Sequence, residues 1–241
     1  METTETFIGH LIELRNRLLR IIFGFVLIFI ALFPFANRLY SVLAKPLLAS
    51  LPVGGHMIAT GVTTPFFVPM KVSMLTAFVI SLPFTLYQVW AFVAPGLYAH
   101  EKKWMAPLVI ASTALFGLGM AFAYFLVFPV VFGFLANTAP EGVAVMTDIG
   151  SYLDFIITLF MAFGIAFEVP IAVIVIVKFG LVSLKQLRDI RGYVVVGAFI
   201  IGAVFTPPDI ISQFMLAMPL WILYEAGIVA ASLMTVEKST S

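Results

Sequence analysis

YLDFIITLFMAFGIAFEVPIAVIVIV (Tyr152–Val177) is the stretch that decides the fold. Apart from Asp154 near one end and Glu168 inside, it carries no charge. At about 1.5 Å per helical residue it is long enough to cross a hydrocarbon core of about 30 Å. In lipid every backbone polar group must be satisfied within the segment, so the run predicts a helix. Glu168 then stands at membrane depth, with Pro170 two positions on. A charged side chain at the bilayer centre costs about 2.5–3.5 kcal/mol on insertion scales. Glu168 is therefore expected to face a concavity or another helix, and not lipid.

Composition extends this reading to the whole chain. Of 241 residues, 62% are hydrophobic and 10% are charged, and the mean hydropathy is +1.13. Soluble domains run nearer half apolar and a quarter charged, so lipid must solvate most of this surface. The net charge of +1 gives no basic field for nucleic acid. The absence of cysteine excludes disulfides, thiolate metal sites and cysteine nucleophiles. No small-residue cleavage signature follows the first apolar run, so that run is read as retained.

Cutting the chain at charges and at Pro/Gly clusters predicts an all-α polytopic membrane protein. It has one integral membrane domain over residues 1–241. Residues 1–20 form an amphipathic helix, and spans follow at about 21–37, 71–97, 104–134, 151–178, 192–207 and 210–233. Spans five and six are short, and a re-entrant pair is the alternative. Pro83, Pro95, Pro107, Pro129, Pro170 and Pro219 predict bent helices around a concave bundle.

Lysine and arginine set the orientation. One side collects Arg15, Arg17, Arg20, Lys102, Lys103, Lys178, Lys185, Arg188, Arg191 and Lys238. The other has Arg38, Lys45 and Lys71. Both termini are therefore expected on the cytoplasmic side. Outer loops are expected at Asn37–Met70, Leu135–Gly150 and the tight turn Thr206–Asp209. The first is too apolar for a solvated linker and is read as a folded cap.

Catalysis finds no support. His10, His56 and His100 lie in loops or at a span edge, and no nucleophile elbow, phosphate loop or metal-ligand cluster occurs. No catalytic residue, metal or cofactor is expected. Two carboxylates near the cytoplasmic surface remain. Phe7, Leu11, Leu14 and Leu18 form an apolar helical stripe, with Glu13, Arg17 and Arg20 on another face. Glu13 and Arg17, at i and i+4, make either a simple surface pair or a seat for a cationic ligand. Glu101 follows Pro95–Gly96 within an interfacial belt of Trp90, Tyr98 and Trp104.

Five blocks, in order over about residues 6–233, resemble the TatC subunits of the twin-arginine protein translocase. They are HLIELRNRL (His10–Leu18), LYQVWAFVAPGLYAHEKK (Leu86–Lys103), FGFLANTAPEGV (Phe132–Val143), FGIAFEVP (Phe163–Pro170) and VGAFIIGAVFTPPDIISQ (Val196–Gln213). The resemblance implies a receptor for twin-arginine signal peptides and the core of a proton-gradient-driven translocase for folded proteins. It implies the bacterial inner membrane, self-association in the receptor complex, contact with membrane lipid and small single-span partners of the TatA and TatB type. Glu13, Glu101, Arg15, Arg17 and Phe92 match signal-peptide positions. Glu168, Thr206 and Gln213 match docking positions for a single-span subunit, and Pro46 and Asp209 match loop positions. Asp154 and Glu225 match no role. The alternative is a proton-coupled secondary transporter of a small solute using Glu168.

Overall fold

The structure is a computed structural model and describes residues 2–50, 56–93, 105–137, 146–205 and 210–237. Of the expected site residues, Glu101, Thr206 and Asp209 lie outside the described residues. Pro46 lies in a described helix, but its side chain does not belong to the described set.

Among the described residues the backbone is helical apart from short connections. Helix α1 (Glu2–Leu32) is followed by a 3-10 turn (Phe33–Phe35) and α2 (Ala36–Ser50). Then come α3 (Thr64–Val93), α4 (Met105–Phe122), a π-helical segment (Ala123–Val127) and α5 (Phe128–Asn137). The rest comprises α6 (Ile149–Phe167), α7 (Val169–Lys178), α8 (Leu184–Asp189), α9 (Arg191–Phe205) and α10 (Ile210–Glu237). Among the described residues, five helical stretches are long and apolar enough to cross a membrane: Ile8–Lys45, Thr64–Val93, Met105–Phe134, Ile149–Lys178 and Gln213–Met234. Arg191–Val204 is a shorter apolar helix.

Two differences from the sequence expectation stand out at the first outer loop. The amphipathic segment and the first span form one continuous helix, and helix continues past Asn37 to Ser50. Pro34, at the start of the 3-10 turn, tightens the path without ending it. The 38 residues of Ile8–Lys45 reach about 57 Å at 1.5 Å each, far more than the bilayer core. Its charged ends, around Glu13–Arg20 and Arg38–Lys45, must therefore stand outside the hydrocarbon. Helix α3 also begins earlier than expected, at Thr64.

The chain forms two compact units, Met1–Ala44 with Ala59–Thr113 and Lys45–Ile58 with Ala114–Ser241. In the first, α1 packs on α3. Gly24 brings the helices together, since a Cβ there would lie 3.3 Å from the Phe84 ring. The face of α3 that carries Ser73, Ala77, Ser81 and Gln88 is buried. These positions recur at helical spacing. The serine hydroxyls donate back to carbonyls of their own helix, Ser73 to Pro69 at 3.1 Å and Ser81 to Phe78 at 2.9 Å. Trp90 Nε1 donates to the buried Ser112 Oγ of α4 at 3.0 Å.

In the second unit, α4–α5 lie against α6. Phe122 meets Phe163 and Phe167, Phe128 meets Phe160, and Phe132 meets Tyr152, with ring centroids 5.1–5.7 Å apart. Gly119 and Gly164 permit this approach. A Cβ on Gly119 would lie 2.9 Å from the carbonyl carbon of Phe163 and nearer still to its oxygen. Small residues at such crossings let membrane helices gain van der Waals contact. The π segment precedes Pro129, whose ring disfavours the carbonyl position of an ideal α-turn, and the wider i→i+5 turn accommodates it.

Asp148 caps α6, its Oδ1 accepting from Gly150 N at 2.9 Å and Ser151 N at 3.0 Å. Ile58 pairs with this cap in a short parallel bridge: Ile58 N donates to Thr147 O at 3.0 Å, and Ile149 N donates to Ile58 O at 2.9 Å. The segment that follows α2 is thus joined at Ile58 to the segment that precedes α6. Gly180, with φ at +69°, closes the end of α7, and Leu181 N donates back to Ile176 O at 3.1 Å. Ser183 and Gln186 then form a capping box that starts α8.

Candidate functional site

The first polar cluster lies on α1 and α3. Arg17 donates from Nε and Nη2 to the same oxygen of Glu13, Oε1, at 2.9 and 2.6 Å. Its third nitrogen, Nη1, donates to Gln88 Oε1 at 3.2 Å. Gln88 is only 4% exposed. The second oxygen of Glu13, Oε2, lies 4.0 Å from His10 Nδ1, beyond hydrogen-bond length. Glu13 keeps a 35% exposed side chain.

Glu13 and Arg17 therefore form the i, i+4 pair expected from their spacing. Arg15 turns away, exposed, with Nη2 against Asn16 Oδ1 at 3.5 Å. Phe92, partly buried, follows Gln88 by one turn of α3. The sequence reading passed over Gln88. Its signal was a single amide in the otherwise apolar end of a span, where a polar side chain needs an internal partner.

The second region lies around Glu168, at the break between α6 and α7. Its backbone has φ −75° and ψ −13°. Its N–H donates to Ile165 O at 3.0 Å, and its carbonyl accepts from Ala172 N at 2.9 Å. Pro170, in the first turn of α7, supplies no N–H, which is why the ladder resets here. Glu168 is partly buried and its Oε1 is shut off from solvent. Nearby, an apolar groove of about 450 Å³ runs between Ala162, Ala166 and Val169 on one wall and Gly197, Ala198 and Leu220 on the others.

Gln213 is engaged within the chain: Nε2 donates to Phe199 O at 3.0 Å, joining α10 to α9. Gly202 faces it, where a Cβ would lie 3.2 Å from Gln213 Cγ. Glu225, left without a role by the sequence, accepts from Arg191 Nη2 at 2.6 Å. Beside it, buried Tyr224 donates from its hydroxyl to Leu187 O at 2.7 Å. Asp154 is exposed on α6, and its carbonyl accepts from Thr158 Oγ1 at 2.7 Å. Among the described residues no group of three or more potential ligands is placed to hold a metal ion.

The family described as Sec-independent protein translocase protein (TatC) matches residues 9–219. The Sec-independent protein translocase protein TatC of Escherichia coli (strain K12) is 53% identical over 228 residues, covering 95% of this chain and 88% of that protein. The TatC protein of Aquifex aeolicus (strain VF5) is 39% identical and covers 95% of each chain. In three dimensions the chain is similar to a crystal structure of the twin-arginine translocase receptor TatC in DDM. The TM-score is 0.81 at 39% identity, over 92% of this chain and 99% of that one. Family and fold agree over nearly the whole sequence, and a small-solute transporter built on Glu168 gains nothing from either. The chain belongs to the TatC family of membrane-embedded, Sec-independent protein translocase proteins.

Proposed function

We propose that this protein is the twin-arginine signal-peptide receptor of its translocase, with Glu13 and Glu101 as the carboxylates that meet the two arginines. The observation that carries the reading is the state of Glu13. One carboxylate oxygen is committed to Arg17, while the other is neither hydrogen-bonded among the described residues nor fully buried. A guanidinium presents a rigid fork of donors that a carboxylate oxygen accepts strongly. Lysine offers only a point charge. Arg17 acts beside the ligand by holding the carboxylate, Arg15 faces acidic headgroups, and Phe92 borders the peptide site.

Both termini and this site face the cytoplasm, in the inner membrane of a bacterium, with six spans in all. Glu168, Thr206 and Gln213 offer polar footholds to single-span TatA- and TatB-type subunits, and Pro46 and Asp209 support the outer loops. Polar contacts between membrane helices contribute about 0.6–2 kcal/mol each, which suits partners that exchange.

Binding of a fluorescent twin-arginine signal peptide to the detergent-solubilised protein tests the reading against a twin-lysine version and against Glu13→Ala and Glu101→Ala. Both substitutions and the lysine peptide should weaken binding. Equal binding of the two peptides, or indifference to both substitutions, removes the receptor assignment.

A further inference from the structure

An arginine free to choose its approach to a carboxylate sets two N–H groups on two oxygens, side by side. Arg17 does not do this with Glu13. Nε and Nη2 converge on Oε1 alone, and Nη1 is drawn aside to Gln88 Oε1. Arginine has only donors, so the oxygen of the Gln88 amide must be the atom that faces it. Gln88 is buried on α3, so packing fixes where that acceptor stands. The third contact thus comes from a different helix and restrains how far the guanidinium can turn about Glu13.

We infer that Gln88 is a positioning residue: it holds Arg17 away from Oε2 of Glu13 and so keeps that oxygen open for the arginine of a signal peptide. The inference rests on the receptor reading above and adds a specific cause for it. Without Gln88, Arg17 rotates into the side-on pair and closes both oxygens. Glu13 is then neutralised by its own helix neighbour, four residues away, before any ligand arrives. The role needs an acceptor at this reach, whereas an apolar residue of similar size leaves Arg17 unrestrained.

The test is peptide binding by the full detergent-solubilised chain, read as fluorescence anisotropy of a twin-arginine peptide. Gln88→Met should weaken binding about tenfold, the weight of one charge-assisted hydrogen bond. Gln88→Glu keeps an acceptor at the same reach and should retain binding. In an Arg17→Ala background Gln88→Met should add no further loss, because Gln88 acts only through Arg17. An equal further loss in that background, or failure of Gln88→Glu to retain binding, overturns the role. If Gln88→Met is not recovered folded, Gln88→Leu removes the same acceptor, and undiminished binding by that variant overturns the role. Undiminished binding by Gln88→Met while Glu13→Ala abolishes binding removes Gln88 and leaves the receptor reading intact. Undiminished binding by Glu13→Ala removes the Gln88 role, and the receptor reading then falls only if Glu101→Ala is silent too or the twin-lysine peptide binds equally.

Discussion

Two glycines of α4, two residues apart, give a test of the packing that needs no ligand. Gly119→Ala places a Cβ 2.9 Å from the carbonyl carbon of Phe163, whereas Gly117→Ala meets nothing within 4 Å. Ordinary carbon contacts lie at about 3.5–4.0 Å, so α4 and α6 must separate by about 0.6–1 Å to admit the first methyl group. The obstructing atoms are backbone, and no rotamer change relieves them. Overpacking of this kind costs about 1–3 kcal/mol. The same separation loosens Phe122 against Phe163 and Phe167, now at 5.4 and 5.7 Å between centroids. Such aromatic pairs contribute about 0.5–1.5 kcal/mol each. The gain in helix propensity, about 1 kcal/mol, is common to both alanines and cancels between them. Gly119→Ala should therefore be less stable than Gly117→Ala by about 2–3 kcal/mol. For a chain of this size that is a lower melting midpoint by about 4–12 °C. Gly164→Ala should fall between them, because its Cβ meets the Phe116 ring, a side chain able to turn. Intrinsic tryptophan fluorescence during heating of purified protein reads the order. Equal midpoints for the two alanines of α4 would refute the close approach of α4 and α6.

Three further outcomes are expected. Tyr224→Phe should cost about 1 kcal/mol by leaving the Leu187 carbonyl without its buried donor. Glu225→Gln should cost less, since Arg191 is 45% exposed and solvent screens the pair; a larger loss from Glu225→Gln in the same melting assay reverses this ranking. Glu168→Ala should leave twin-arginine peptide binding intact and weaken co-purification of a single-span partner; loss of peptide binding with the partner retained would reverse the division of labour between the two regions.

The long apolar helices were legible because charge is so costly in lipid that its absence over long runs marks them directly. Helix continuity was less so. Asn37, Arg38, Lys45 and Pro46 read as a loop, yet α2 continues through them, since a helix outside the hydrocarbon tolerates charge. Pro129 announced a bend, but nothing in its neighbours states that a π turn absorbs it. At the site, Glu13 and Arg17 were legible because four residues of one helix bring them together whatever the rest of the chain does. Gln88 with Arg17 and Glu225 with Arg191 were not. Each depends on the register of one helix against another, set by contacts such as Gly24 on Phe84 that periodicity does not encode.

The bridge between Ile58 and the cap of α6 bears on the order of assembly. Ile58 is synthesised before α3, α4 and α5, and its partners Thr147 and Ile149 come after them. Helices form within their own segments, but these two backbone bonds close a loop that contains three helices, and such closure waits for its most distant part. The stitch between the loops is therefore a late event. Its two halves can meet only after α3, α4 and α5 have been synthesised.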